Sequence, residues 1–125
     1  MRLKSDLFDL LMHATNGTLD QAELQWDRRV ALGVVMAAAG YPVQPRKGDV
    51  ISGLPAEADD AVVFHAGTAL GDDGSLRVSG GRVLCVTALG DSTKLVQQRA
   101  YQALQSIRFD GAQLRHDIGH RAIKH

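Results

Sequence analysis

The chain has 125 residues, of which 45% are apolar and 22% are charged, a mixture that is typical of one globular domain and excludes general disorder. The 14 Lys and Arg residues balance the 14 Asp and Glu residues, and a net charge of zero argues against a nucleic-acid binder, which carries a basic excess. No apolar run approaches the ~20 residues that cross a bilayer, and no signal-peptide pattern opens the chain, so we expect a soluble, cytoplasmic protein without membrane or nucleic-acid partners.

The first predicted element is an amphipathic helix over residues 5–15. Ser5 and Asp6 precede its apolar row, and Asn16 and Gly17 tolerate the left-handed conformation that ends a helix. The apolar row has a 3.6-residue period and comprises Leu7, Leu10, Leu11 and Ala14. A free-standing domain more often begins with a frayed polar segment, so the sequence raises the question of why this chain begins with a helix.

In the next segments the side chains alternate in type along the chain, as they do in β-strands. Residues 22–26, "AELQW", predict a short strand. In "RRVALGVVMAAAGYP" the larger side chains alternate with small ones, which predicts a strand with two different faces. The larger face comprises Val30, Leu32, Val34 and Met36. The small-residue face predicts the close approach of another backbone or of a ligand.

Three further strands are predicted after the turn-rich residues 45–53. "AVVFHAGTAL" (61–70) is predicted as one strand and "GDDG" (71–74) as a turn. "LRVSGGRVLCVTALG" predicts two strands joined as a hairpin at residues 79–81. Cys85 is the only cysteine, which excludes an internal disulfide, and we expect it to be a small buried core residue.

The clearest helix is predicted over residues 91–109. Asp91, Ser92 and Thr93 are all suitable N-caps. The expected buried stripe comprises Val96, Ala100, Ala103, Leu104 and Ile107. One helix, four or five mostly antiparallel strands, a second helix and a tail without a strong period predict an α+β fold, with a small antiparallel sheet flanked by helices.

Few residues stand out as candidates for chemistry. His116 and His120 are four residues apart, but Gly119 lies between them and no general base follows in the zinc-protease pattern, so we expect structural or solvated roles. For His65 we expect an ordinary hydrogen bond. The glycine groups at residues 71–74 and 79–81 connect strands, so they are not phosphate-binding loops, which lead from a strand into a helix.

The tail "LRHDIGHRAIKH" (114–125) concentrates hydrogen-bond donors around Gly119. Its donors are Arg115, His116, His120, Arg121 and Lys124. Asp117 is placed to hold one arginine, and a guanidinium binds phosphate or carboxylate through two parallel bonds. The residues alone leave two interpretations open, a solvated basic tail and an anion-binding arm.

Residues 80–123, "GGRVLCVTALGDSTKLVQQRAYQALQSIRFDGAQLRHDIGHRAI", resemble the C-terminus of the phosphoribosylamine–glycine ligase family, which is part of the ATP-grasp superfamily. "RLKSDLFDLL", "GVVMAAAGYP", "KGDVISGL" and "VFHAGTAL" follow the order and spacing of that family's segments. The resemblance implies that residues 1–20 form the last helix of an ATP-grasp domain. It also implies that residues 21–125 form the C-terminal domain, a small antiparallel sheet or partial barrel with helices.

The resemblance also implies a reaction of purine biosynthesis. The complete ligase would join glycine to 5-phosphoribosylamine and convert ATP to ADP and phosphate with Mg²⁺ or Mn²⁺. The family's ATP-holding and metal-binding segments precede these residues. We therefore expect the partners to be the missing N-terminal and ATP-grasp domains, and we expect this chain alone to be inactive, with no catalytic residue, metal ligand or bound cofactor.

By the same resemblance Arg115 and Arg121 are candidates for binding the substrate phosphate. Lys4 is a third candidate, because it lies beside a helix N-terminus, which favours anions. The alternative for each is a surface ion pair with Asp6, Asp110 or Asp117.

Two other classes of function compete with the ligase. One is a structural or interaction domain, which predicts an exposed apolar surface formed by Leu7, Phe8, Leu11 and Trp26. The other is a stand-alone module that binds a small anion without ligase chemistry.

Overall fold

A computed structural model describes residues 1–123; Lys124, which belongs to the predicted basic tail, and His125 lie outside the described residues. In chain order the elements are α1 (Leu7–Thr15), a 3₁₀ turn (Leu19–Gln21), β1 (Val30–Ala37), β2 (Ala61–His65), β3 (Thr68–Leu70), β4 (Leu76–Val78), β5 (Arg82–Gly90), α2 (Thr93–Leu104) and α3 (His120–Ile123). The α+β class with antiparallel sheets, as predicted, is confirmed. Within residues 1–123 no helix combines the length and the apolar character that spanning a membrane requires.

The core lies between the larger sheet and α2. Strand β5 is central in this sheet and pairs antiparallel with β1 on one side and β2 on the other. The register places Val86 between Val34 and Val63, so their side chains share the face on which α2 packs. The alternation in β1 is confirmed, because its larger side chains are the buried ones.

The prediction of a single strand over residues 61–70 is wrong. The chain bends after β2, and β3 leaves the larger sheet to pair with β4 in a second, two-stranded sheet. At the bend Gly67 passes so close to Gly80 that an added Cβ would lie 2.7 Å from the Gly80 Cα. The apolar run is therefore divided by a backbone crossing, and the "GDDG" turn connects β3 to β4 as expected.

The predicted hairpin at residues 79–81 is also wrong. Strands β4 and β5 flank this segment, but they belong to different sheets and do not pair with each other. The amides of Ser79 and Gly80 both donate to the carbonyl oxygen of Gly67, at 2.8 and 3.2 Å. The turn residues thus stabilise a crossing between sheets.

Helix α1 forms where the sequence predicts it, but it begins at Leu7. The Asp6 side chain caps it by accepting a hydrogen bond of 3.1 Å from the Asp9 amide. Gly17 follows the helix with φ +69°, the left-handed conformation expected there. The helix buries none of its residues, because within residues 1–123 it packs mainly on the 3₁₀ turn.

The strand predicted over residues 22–26 reduces to an isolated antiparallel bridge between Leu3 and Trp26. Its partner is the segment before α1, where the Lys4 amide donates to the Gln25 carbonyl oxygen at 2.8 Å and the Asp27 amide donates to the Arg2 carbonyl oxygen at 2.7 Å. Ser5 reinforces this contact, because its hydroxyl accepts from the Gln25 amide at 2.7 Å. These bonds hold the start of the chain beside the entry to β1.

Helix α2 is shorter than the predicted residues 91–109. Ser92 is its N-cap, accepting from the Leu95 amide at 3.2 Å, and the helix ends at Leu104. Residues 105–109 leave the helix because Arg108 exchanges two backbone hydrogen bonds of 2.9 Å with Ser52. Ile107 is still buried, as expected, but it enters the core from this extended segment.

Cys85 is not a core residue, contrary to the prediction. It is half-buried, and its Sγ lies 3.5 Å from the Thr87 hydroxyl. The register pairs it with Val35 and Phe64, which are both exposed, so it lies on the sheet face opposite α2. Because side chains alternate between the two faces of β5, the residues on either side of Cys85, Leu84 and Val86, are the ones that lie in the core.

Candidate functional site

Arg115 and Asp117 form a paired fork on the surface. Arg115 Nε lies 2.9 Å from Asp117 Oδ1, and Nη2 lies 2.7 Å from Oδ2. The guanidinium lowers the pKa of the Asp117 carboxyl, and the carboxylate in turn raises the pKa of Arg115. The expectation that Asp117 holds one arginine is confirmed, and the Arg115 side chain remains 74% exposed.

Helix α2 holds the backbone that carries this fork. The Tyr101 hydroxyl donates to the carbonyl oxygen of Arg115 at 2.7 Å and accepts from the Ile118 amide at 3.1 Å. Gln97 Nε2 donates to the carbonyl oxygen of Ile118 at 2.7 Å. The ring of His116 stacks on Tyr101 with centroids 6.4 Å apart. The tail is therefore fixed by side-chain hydrogen bonds to a helix that packs on the sheet, although it has no periodic pattern.

Arg121 shares an open pocket with Arg115. The pocket has a volume of about 340 Å³ and is lined by residues of the tail, including Asp117 and His120. Gly119 has φ +82°, and this left-handed conformation turns the chain into α3. The Gly119 backbone lies against the Leu32 side chain. Within residues 1–123 Arg121 makes no ion pair. The pocket therefore contains one guanidinium that is paired with Asp117, that of Arg115, and one that is unpaired, that of Arg121.

Lys4, the third predicted residue, does not line that pocket. It is exposed beside the bridge to Trp26, and its amide donates to the Gln25 carbonyl oxygen at 2.8 Å. Its charge contributes to the lowered pKa of Asp27. The main cause of that shift is Arg29, whose Nη2 lies 2.7 Å from Asp27 Oδ2.

The sequence did not single out two residues that share a second pocket with Arg115. Tyr41 and Arg82 line this open pocket of about 400 Å³ at the end of β1. Arg82 follows a glycine pair, which offers no signal of a site. Its position depends on the pairing of Arg82 with Ala37, and only the three-dimensional register reveals that pairing.

A third pocket lies elsewhere, between residues 54–58 and β2. It has a volume of about 330 Å³ and a mostly apolar lining, in which Glu57 and His65 are the ionisable side chains. His65 Nδ1 lies 3.2 Å from the Thr68 hydroxyl, the ordinary hydrogen bond that we expected. None of the three predicted site residues lines this pocket.

The described residues form neither a cluster of metal ligands nor a glycine-rich phosphate-binding loop. Within residues 1–123 no three His, Cys, Asp or Glu side chains converge as a metal ion requires. The glycine groups at residues 71–74 and 79–81 connect strands, as predicted, and no helix N-terminus follows either of them directly. We therefore derive no metal-dependent step from these residues.

The chain is similar to proteins of one family. The family described as phosphoribosylglycinamide synthetase, C domain, matches residues 31–121. A phosphoribosylamine–glycine ligase of Ralstonia nicotianae is 63% identical over 123 residues, which cover 98% of this chain and 29% of that protein. The enzyme of the same name from Escherichia coli O157:H7 is 54% identical over 125 residues, 99% of this chain and 29% of that protein.

A solved structure agrees with these similarities. The crystal structure of phosphoribosylamine–glycine ligase from Thermotoga maritima superimposes with a TM-score of 0.70 at 33% identity, covering 86% of this chain and 27% of that one. The chain thus spans about 29% of the length of the curated relatives it matches.

Proposed function

The chain belongs to the phosphoribosylglycinamide synthetase C-domain family, and from this we propose that it serves as the C-terminal part of a phosphoribosylamine–glycine ligase. The observation that carries the proposal is the 63% identity to such a ligase over almost the whole chain. The complete enzyme joins glycine to 5-phosphoribosylamine and converts ATP to ADP and phosphate, a step of purine biosynthesis.

ATP and Mg²⁺ or Mn²⁺ belong to the parts of the ligase outside this chain. A divalent cation there would neutralise the charge of the transferred phosphoryl group. Within residues 1–123 no cluster of metal ligands is present. We propose that the chain by itself has no ligase activity.

We propose that Arg115 and Arg121 bind the phosphate of 5-phosphoribosylamine. A guanidinium matches two phosphate oxygens at once, and a partly desolvated, charged hydrogen bond is stronger than a neutral one. Asp117 orients Arg115 before substrate arrives, which reduces the entropy lost on binding. Arg121 lines the same pocket without a carboxylate partner within residues 1–123, so its charge is available to an anion.

Lys4 is a separate proposed anion contact. It lies near the N-terminus of α1, where the helix dipole favours negative charge. Since it does not line the pocket of the two arginines, its role is independent of theirs.

We also propose the domain boundary implied by the resemblance, with residues 1–20 belonging to the ATP-grasp domain and residues 21–125 forming the C-terminal domain. The family match begins at residue 31, beyond α1. Leu7, Phe8 and Leu11 on α1 are 59%, 69% and 56% exposed, an unusual arrangement for an apolar helix face. Packing on the ATP-grasp domain would bury this face.

The same exposed face supports the second candidate function, an interaction domain without a role in substrate binding. Trp26, which lies outside α1, is also 54% exposed. Both candidates predict docking, but only the first predicts that the arginines affect the ligation reaction.

A chimera tests the proposal. The 123-residue segment of the Ralstonia nicotianae ligase that matches this chain is replaced by the chain, and ADP formation that depends on glycine and 5-phosphoribosylamine is measured. We expect ligase activity in the chimera and none in the isolated chain. A folded chimera that binds ATP but does not ligate, or glycine-dependent ATP turnover by the isolated chain, would overturn the proposal.

A further inference from the structure

The pocket at the end of β1 is formed where two other segments of the chain pair with this strand, one on each of its edges. Ala37 pairs with Arg82 of β5 on one side and forms a bridge to Gln113 on the other, with backbone hydrogen bonds of 2.8 and 2.9 Å. Val35 and Leu114 add apolar surface to the lining. The result is an open pocket of about 400 Å³, within the size range of small-molecule sites.

An aromatic ring forms one wall of this pocket. Tyr41 packs so closely on the backbone at Gly81 that an added Cβ there would lie 2.7 Å from the Tyr41 Cδ2. The residue nevertheless remains 39% exposed and lines the pocket. A ring that is held against the backbone and open to solvent offers a flat apolar surface at small entropic cost.

The charged side chains that line the pocket are all cationic. They are Arg82 and Arg115, and no carboxylate lines it. Asp117, the partner of Arg115, lies outside this lining, and Arg82 has no ion pair in the part of the chain that the structure describes. Two guanidinium groups beside an apolar lining favour an anion that also carries a hydrophobic portion.

We propose that this pocket binds a small phosphate that carries a planar ring, the chemistry of a nucleoside monophosphate. Arg82 binds the phosphate, Arg115 adds positive charge to the lining, and the ring packs against Tyr41 and the apolar residues of the pocket. This pocket is distinct from the one that Arg115 shares with Arg121, and the inference does not rest on the proposed ligase function.

Isothermal titration of the 125-residue chain with AMP tests the site. We expect saturable binding at millimolar concentrations or below, and an affinity that Arg82→Gln lowers about ten- to hundredfold, the effect of losing a charged hydrogen bond. Arg28→Gln is the matched control, because Arg28 is exposed and lies outside the pocket. It removes the same charge, and we expect it to change the affinity less than about twofold.

Two further ligands test the ring and the phosphate separately. Adenosine lacks the phosphate and ribose 5-phosphate lacks the base, so both should bind more weakly than AMP. Tyr41→Ala should weaken the binding of AMP and of adenosine, and it should leave the binding of ribose 5-phosphate unchanged. Equal affinity for AMP and ribose 5-phosphate, with Tyr41→Ala without effect, would contradict the role of the ring.

Three outcomes overturn the site itself. They are no binding of AMP by the folded chain, equal effects of Arg82→Gln and Arg28→Gln, or loss of binding through Arg121→Gln instead of Arg82→Gln. None of these results bears on ligation by the chimera, so failure here and failure of the proposed function are distinguishable.

Discussion

The Tyr101 hydroxyl donates a hydrogen bond of 2.7 Å to the carbonyl oxygen of Arg115, which connects helix α2 to the basic tail. The same hydroxyl accepts from the Ile118 amide, so one side chain fixes the backbone on both sides of the Arg115–Asp117 fork. Positions of charged groups that are set by a packed helix are better defined than those on a free tail. This connection holds the charged groups of the tail at defined positions.

The first prediction is that Tyr101→Phe loosens this connection. The change removes a donor to one backbone carbonyl and leaves the part-buried Ile118 amide without its partner, so we expect a loss of about 1–2 kcal/mol in the free energy of unfolding. Urea denaturation measures this loss, and hydrogen exchange should become faster over residues 115–118. Tyr41→Phe is the control, because the Tyr41 hydroxyl makes no hydrogen bond within residues 1–123. Equal stability of the two variants would contradict the role given to Tyr101.

The second prediction concerns the stability of the chain in acid. Asp27 is only 9% exposed, and its hydrogen bonds with Arg29 hold the pKa of its carboxyl well below the ordinary value of about 3.9. A depressed folded-state pKa stabilises the protein above the unfolded pKa, and this contribution is lost as the pH falls through the folded pKa.

Asp27→Asn should therefore be less stable than the unchanged chain at neutral pH, and the difference should shrink below about pH 4. Urea denaturation of both proteins across this range measures the difference. Asp73 and Asp117, whose pKa values are also lowered, are present in both proteins, so their contributions cancel. A difference that stays constant down to about pH 2 would argue against this assignment.

The third prediction tests the core between the larger sheet and α2. Leu84 is 1% exposed, and Leu84→Ala should lower the free energy of unfolding by about 2–5 kcal/mol through lost burial and a cavity. Leu70 is 76% exposed, and Leu70→Ala should change it by less than about 0.5 kcal/mol. Denaturation curves of the pair check the burial pattern, and similar losses in both variants would be inconsistent with the fold.

The fold could be predicted where a pattern acts locally. The apolar rows of α1 and α2 and the alternation of β1 follow from side-chain period alone, and these elements are confirmed. The bend at Gly67 was not predicted, because a single glycine in an apolar run does not tell a bend from a continuous strand, and the cause is the crossing with Gly80. The glycines at residues 80–81 signal a turn, but nothing local tells which strands pair on either side of it.

The candidate site was partly predictable for the same reason. Asp117 is two residues from Arg115, so their pairing is a short-range effect that sequence reveals. The proximity of Arg82 to Arg115 depends on the pairing of β1 with both β5 and residue 113, contacts between distant parts of the chain. Similarly, the anchoring by Tyr101 and Gln97 requires α2 to pack beside the tail.

The fourth prediction separates the roles of α1 inside and outside the ligase. Phe8 is 69% exposed and α1 buries none of its residues, so Phe8→Ser should change the unfolding free energy of the isolated chain by less than about 0.5 kcal/mol. In the chimera the same change should lower the melting temperature, because it places a polar group in the proposed contact with the ATP-grasp domain. Leu70→Ser, another exposed apolar position, is the control. If Phe8→Ser and Leu70→Ser behave alike in the chimera, α1 does not dock there.

The steady-state kinetics of the chimera with Arg121→Ala test most directly whether this chain supplies the phosphate contact of a ligase. The account predicts that the KM for 5-phosphoribosylamine rises about tenfold or more, while the KM for ATP changes less than about twofold and Arg28→Ala has little effect on either. Equal changes in the KM values for 5-phosphoribosylamine and ATP, or no change in either, would contradict it.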